Sequence, residues 1–122
     1  MLTLPPRVRV FLAADPVDLR RGHDGLVALV RGEWRLNPFE GDLFVFLGRR
    51  LDRVKILVWD RNGFVLYYNR LSQGRFRLPR IPADVTRVER DATTLAMLLD
   101  GIDVRYVRRP AAWAPPPPPP PR

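Results

Sequence analysis

The stretch from Leu43 to Leu71 constrains the fold more than any other part of the chain. An apolar run, Leu43 to Leu47, is followed by two further strand-like segments, Arg53 to Asp60 and Phe64 to Leu71. Only the charged turn Gly48 to Asp52 and the tripeptide Arg61-Asn62-Gly63 separate them. Neither connection is long enough for a crossover to a parallel neighbour, so the three segments fold back on one another as an antiparallel meander. Asn62-Gly63 predicts a type I′ hairpin, in which both central residues take positive φ. Leu43 to Leu47 suits a buried strand, whereas Phe64 to Leu71 is rich in aromatic and β-branched residues.

Alternation gives the second segment two faces. Val54, Ile56 and Val58 point one way, and Arg53, Lys55, Leu57 and Trp59 the other. After the turn Ser72-Gln73-Gly74, Arg75 to Leu78 extends the sheet until Pro79 stops it. Upstream, Arg7 to Leu12 alternates as a half-buried strand, with Val8, Val10 and Leu12 on one face. Asp15-Pro16 then turns the chain. A helix is expected over about Asp18 to Arg31, with Asp24 as a cap and Leu26, Val27, Leu29 and Val30 as its apolar stripe. Downstream, Val85 to Val88 is extended and Asp91 caps a second helix over Ala92 to Leu99, which Gly101 closes. Asp103 to Val107 is expected to be a final strand or an ordered extension. The expected architecture is α+β: an antiparallel meander flanked by two short helices, one domain over residues 1–110. Residues 111–122 form a disordered tail whose seven prolines, Pro115 to Pro121, adopt polyproline II.

At 122 residues, with 46% hydrophobic content, the chain can fill one core and no more. It has no cysteine and a single histidine, which excludes a disulfide framework, thiol chemistry and a multi-histidine metal centre. No apolar run is long enough to span a bilayer and no secretory signal opens the chain, so a cytoplasmic protein is expected. No cofactor-binding loop is present either: Gly22-His23-Asp24-Gly25 has neither dinucleotide nor P-loop spacing. Ser72, the only serine, lies in a turn away from His23. Asp15, Asp18, His23 and Asp24 cluster in sequence and suggest a divalent cation for nuclease chemistry. Caps and turns, however, use aspartate at such positions, and Arg20 and Arg21 stand by to neutralise the rest.

Charge is the informative feature. Of 21 basic residues, 20 are arginine and only Lys55 is lysine. Between Arg49 and Arg80 nine basic residues face two acids, Asp52 and Asp60, while the rest of the chain is nearly balanced. Coding bias accounts for arginine in place of lysine but not for the crowding of charge into one window. Arg49, Arg50, Arg53, Lys55, Arg70, Arg75 and Arg77 are therefore candidate phosphate contacts, with Trp59 and Tyr67 as stacking groups for bases or sugars. An acidic protein partner and a merely solvated face are the competing readings.

Four stretches carry a resemblance to a known family. Asp15-Pro16-Val17-Asp18-Leu19-Arg20-Arg21-Gly22-His23-Asp24-Gly25-Leu26 resembles the opening signature of the insertion sequence 66 accessory protein family, TnpB. So do Leu43 to Arg50 with Asp52 to Asp60, then Gly63-Phe64 with Tyr67 to Leu71 and Gly74 to Phe76, and finally Leu98 to Asp103. The likeness runs over about residues 2–105 in the family's order. His23 departs from it, standing where the family usually has an aromatic or aliphatic residue, and the proline tail has no counterpart. The resemblance implies a non-catalytic accessory role in DNA transposition beside a separate transposase that carries the catalytic acids. The expected partners are then the DNA of the insertion-sequence ends and that transposase, with no cofactor, metal or membrane. An adaptor that binds the transposase without touching DNA is the alternative.

Overall fold

The computed structural model describes residues 8–77 and 81–100. Its elements run β1 (Val10–Ala13), α1 (His23–Gly32), β2 (Leu43–Leu47), β3 (Arg53–Asp60), β4 (Gly63–Arg70), β5 (Arg87–Arg90) and α2 (Ala92–Leu99). The five strands form one sheet in the order β4-β3-β2-β1-β5. Three of its four pairings are antiparallel, so the α+β architecture with two short helices stands as expected. The fourth is not foreseen by the meander: β1 pairs with β2 in parallel, Phe11 opposite Phe44. The chain between them, including α1, is long enough for the crossover that a parallel pair needs. Among the described residues, no helix is long and apolar enough to cross a membrane.

Each face of the sheet has its own cover. On one side Val10, Leu12, Leu43, Val45, Leu47, Val54 and Ile56 pack with Phe76 and with Leu95 and Leu98 of α2. On the other, Phe11, Ala13, Phe44, Phe46 and Leu57 pack with Leu26, Leu29 and Val30 of α1 and with Trp34. β1 is therefore buried throughout, not half-buried, because both its edges are paired and both its faces are covered. Arg9 anchors the entrance to β1 with two hydrogen bonds to the Asp42 carboxylate, at 3.2 and 2.8 Å, and one to Glu40 at 2.9 Å.

The helices begin later or differently than periodicity suggests. Residues before His23 are a loop, and the N-cap of α1 is Gly22, without a side-chain bond; Asp24 lies in the first turn instead. Asp91 caps α2 as expected, accepting the Thr94 amide at 2.9 Å. Arg75 to Arg77 adds no strand. Phe76 turns into the apolar cluster, and its amide donates to the Leu51 carbonyl. Leu78, the Gly101 helix stop, the Asp103–Val107 strand, the boundary at 110 and the proline tail lie outside the described residues.

The β3–β4 hairpin turns one step earlier than Asn62-Gly63 predicts. Asp60 pairs with Gly63, so Arg61 and Asn62 are the central residues, and of these only Arg61 has positive φ, at 56°. That is the type II′ pattern. The register is set by the side chains beyond the turn: Trp59 opposes Phe64, with ring centroids 4.9 Å apart and edge to face. An arginine in the left-handed region is strained, and glycine is the preferred residue there. Arg61→Gly should stabilise the fold by about 0.5–1 kcal/mol in urea unfolding; a loss of stability would mean that the Arg61 side chain contributes more than its backbone costs.

Candidate functional site

Three of the sequence stretches described above meet at one end of the sheet, where β2 ends, β3 begins and β4 ends. Together Val17 to Arg20, Gly48 to Arg50, Asp52, Arg53 and Tyr68 line an open cleft of about 680 Å³. The loop before α1 is fastened over it by several bonds. The Val17 amide donates to the Leu47 carbonyl at 2.8 Å, and Lys55 Nζ donates to the carbonyls of Leu19 and Arg21 at 2.6 and 2.9 Å. Leu19 lies so close to Gly48 that a Cβ there would sit 3.1 Å from its Cδ1, which accounts for glycine at the exit of β2.

Asp18 is engaged by its neighbour Arg20. Its carboxylate accepts three bonds from the Arg20 side chain, at 2.7 to 3.1 Å, and one from the Arg20 amide. Hydrogen bonding from the Arg20 guanidinium holds the Asp18 carboxyl well below the usual carboxylate range. Because the folded-state pKa is the lower one, the pair's contribution is complete above the ordinary aspartate value and fades only as pH falls below it. Among the described residues no three acidic, histidine or cysteine side chains gather where they could hold a metal ion. Asp15, His23 and Asp24 are exposed.

The basic window gathers around this cleft at the end of the sheet. Arg49 and Arg50 are exposed on the β2–β3 turn, and Arg53 opens β3 directly opposite Arg70 at the end of β4. Like charges set opposite each other on a sheet repel. Arg75 and Arg77 flank Phe76, whose amide is bonded to the turn carbonyl of Leu51, so their main chain runs past the same turn, but neither lines the cleft. Four arginines, Arg20, Arg49, Arg50 and Arg53, line the cleft, with Asp18 and Asp52 the acids in that lining, and Arg70 adjoins the rim opposite Arg53. Arg53 Nε lies 3.7 Å from Asp52 Oδ1, and these two buried atoms make no hydrogen bond.

Three residues of the sequence-derived set fall outside the rim. Lys55 shares a face with Arg53, as alternation requires, but its ammonium is engaged by two carbonyls and lies 5.4 Å from the Tyr68 ring centroid. Trp59 is six residues along β3 from Arg53, roughly 20 Å away. It packs there with Phe39 and Phe64, at ring distances of 5.0 and 4.9 Å. Tyr67 lies opposite Ile56 and so on the other face of the sheet; the aromatic ring at the cleft is its neighbour Tyr68. Arg20 is the rim residue missing from the charged window, and Tyr68 takes the place at the cleft for which Tyr67 was the choice. The choice between the two tyrosines needed the β3–β4 register.

The profile of the family described as IS66 Orf2 like protein matches residues 8–109. Two proteins of Sinorhizobium fredii (strain NBRC 101917 / NGR234) are similar along nearly their whole length. "Uncharacterized protein y4jC" is 35% identical over 108 residues, which is 88% of this chain and 91% of that protein. "Uncharacterized protein y4hO" is 36% identical over 115 residues, 94% of this chain and 96% of that one. No solved structure matches.

Lys55→Met keeps the length of the side chain but removes the ammonium that holds two loop carbonyls. It should destabilise the protein by about 1.5–3 kcal/mol in urea unfolding. Unchanged stability would return Lys55 to the set of free surface cations.

Proposed function

The chain belongs to the IS66 Orf2-like family, accessory proteins of IS66 transposition, and on that premise we propose that it acts without catalysis of its own by laying its arginine rim on the DNA backbone. The observation that carries this reading is the convergence of Arg49, Arg50, Arg53, Arg70, Arg75 and Arg77 at one end of the sheet, with few carboxylates to neutralise them. Guanidinium forks on a shared rim suit the spaced oxygens of a phosphate chain. Tyr68, 51% exposed at the cleft wall, supplies a ring for a sugar or an unstacked base. A separate transposase of the same element supplies the catalytic groups and is the expected protein partner.

Lys55, Trp59 and Tyr67 are not part of this contact. The first is engaged internally, the second lies at the far end of β3 and the third is on the opposite face. Backbone contact through charge alone predicts binding that weakens steeply with salt and discriminates little between sequences.

The double variant Arg49→Glu/Arg50→Glu should weaken duplex binding and lower the slope of log affinity against log salt by about 2. Both substitutions are at exposed turn positions, so the fold should be retained. Equal affinity and an equal slope would overturn the DNA reading. Retention by transposase after nuclease treatment, with no duplex bound at any salt concentration, would establish the protein adaptor in its place.

A further inference from the structure

The outer border of β4 is the longest open strand edge among the described residues. β4 is terminal in the sheet order and pairs with β3 over eight residues without a bulge. The Leu71 amide donates to the Asp52 carbonyl at 2.7 Å, in continuation of that ladder. Antiparallel pairs alternate between bonded and non-bonded, so the bonded partners of β3 are Leu71, Asn69, Tyr67, Val65 and Gly63. The amides and carbonyls of Phe64, Leu66, Tyr68 and Arg70 therefore point away from the sheet, and no described residue receives them. Most of the usual protections of an edge are missing: β4 has no proline, no lysine and no bulge, it is not short, and its one charge, Arg70, stands at its end. The far edge, β5, has only four residues, two of them arginine.

We propose that this border is a homotypic interface, on which β4 of a second copy pairs antiparallel about a two-fold axis to make one continuous ten-stranded sheet. Side-chain parity and bond parity together fix the register. Residues placed opposite each other must share a face, and the outward bonds must come from the even-numbered residues. The register that pairs all four outward residues sets Tyr67 against Tyr67 of the second copy as a non-bonded pair. Tyr68 and Leu66 then exchange backbone bonds, as do Arg70 and Phe64.

Side-chain chemistry fits that register. Tyr67 and Tyr68, 43% and 51% exposed, are two of the three large exposed apolar residues in the described chain; the axis brings the two Tyr67 rings together on one face, while Tyr68 stands beside Leu66 of the second copy on the other. Arg70 of one copy meets the Phe64 ring of the other, and the two Arg70 side chains stay roughly 20 Å apart. A second copy is thus an occupant against which no like charges are paired. The interface rests on β4 alone and does not depend on the DNA reading.

The chain has no cysteine, so one introduced thiol reports the register directly. In the full chain, Tyr67→Cys should form an intermolecular disulfide on mild oxidation, because a non-bonded pair sets Cα atoms about 4.5 Å apart. Val65→Cys, on the same face but roughly 13 Å from its symmetry mate, should not. Sedimentation of the unmodified protein should show a dimer. Tyr68→Pro, which removes an outward amide, should yield a folded monomer, whereas Asn69→Pro, which removes an inward one, should unfold. A monomer across a concentration series would overturn the proposal, as would equal cross-linking at positions 65 and 67. So would a monomer whose Phe64, Leu66, Tyr68 and Arg70 amides resist hydrogen exchange, since another segment of the same chain would then fill the edge. Loss of DNA binding in Arg49→Glu/Arg50→Glu leaves every one of these readings unchanged.

Discussion

Burial of β2 on both faces is the constraint from which the rest of the structure follows. All five of its side chains are inaccessible to solvent, and each contributes roughly 1.5–3 kcal/mol relative to an exposed position. A strand apolar at every position needs a neighbour on each edge and a layer on each side. β1 and β3 supply the edges, α1 with Trp34 one layer, and α2 with Phe76 the other. Once both faces are sealed, the borders and ends of the sheet are what remain for a partner. The arginine rim is an end and the β4 border is an edge, so both proposals fall where the packing leaves room.

The basic residues divide by what surrounds them. Arg9 and Lys55 are construction elements: one clamps the entrances of two parallel strands, and the other holds the carbonyls of a loop. Arg20 is matched to Asp18. Arg49, Arg50 and Arg70 have no such partner among the described carboxylates, and Arg53 opposite Arg70 is mildly unfavourable in the free protein. A phosphate placed between those two guanidinium groups would turn the repulsion into attraction. The cost borne by the free state thus favours the bound one.

Much of the fold was legible because it is written locally. The bounds of β2 and β3 and the faces of β3 follow from hydrophobic pattern, and the cap of α2 from one aspartate. The parallel pairing of β1 with β2 was not legible, since a strand's pattern does not name its neighbour when both of its edges are filled. The hairpin position was misread for a similar reason: Asn62-Gly63 is the stronger local turn signal, but the aromatic pair Trp59–Phe64 beyond it decides the register. At the candidate site, charge crowding pointed to the end of the sheet where the cleft lies. It could not show that the single lysine is spent on loop carbonyls, or which tyrosine faces the cleft, because both depend on residues that are distant in sequence.

The turn that presents Arg49 and Arg50 has a consequence for association. Its main chain is pinned from within by Gly48 to Arg53 and Leu51 to Gly48, and from the following segment by Leu71 to Asp52 and Phe76 to Leu51. A loop pinned in this way has little backbone freedom left to surrender. Only the torsions of the arginine side chains must settle when an anion arrives, at about 0.5–1.5 kcal/mol each. If the DNA reading holds, docking there would be governed by encounter and long-range attraction, with no slow rearrangement of the loop between collision and complex.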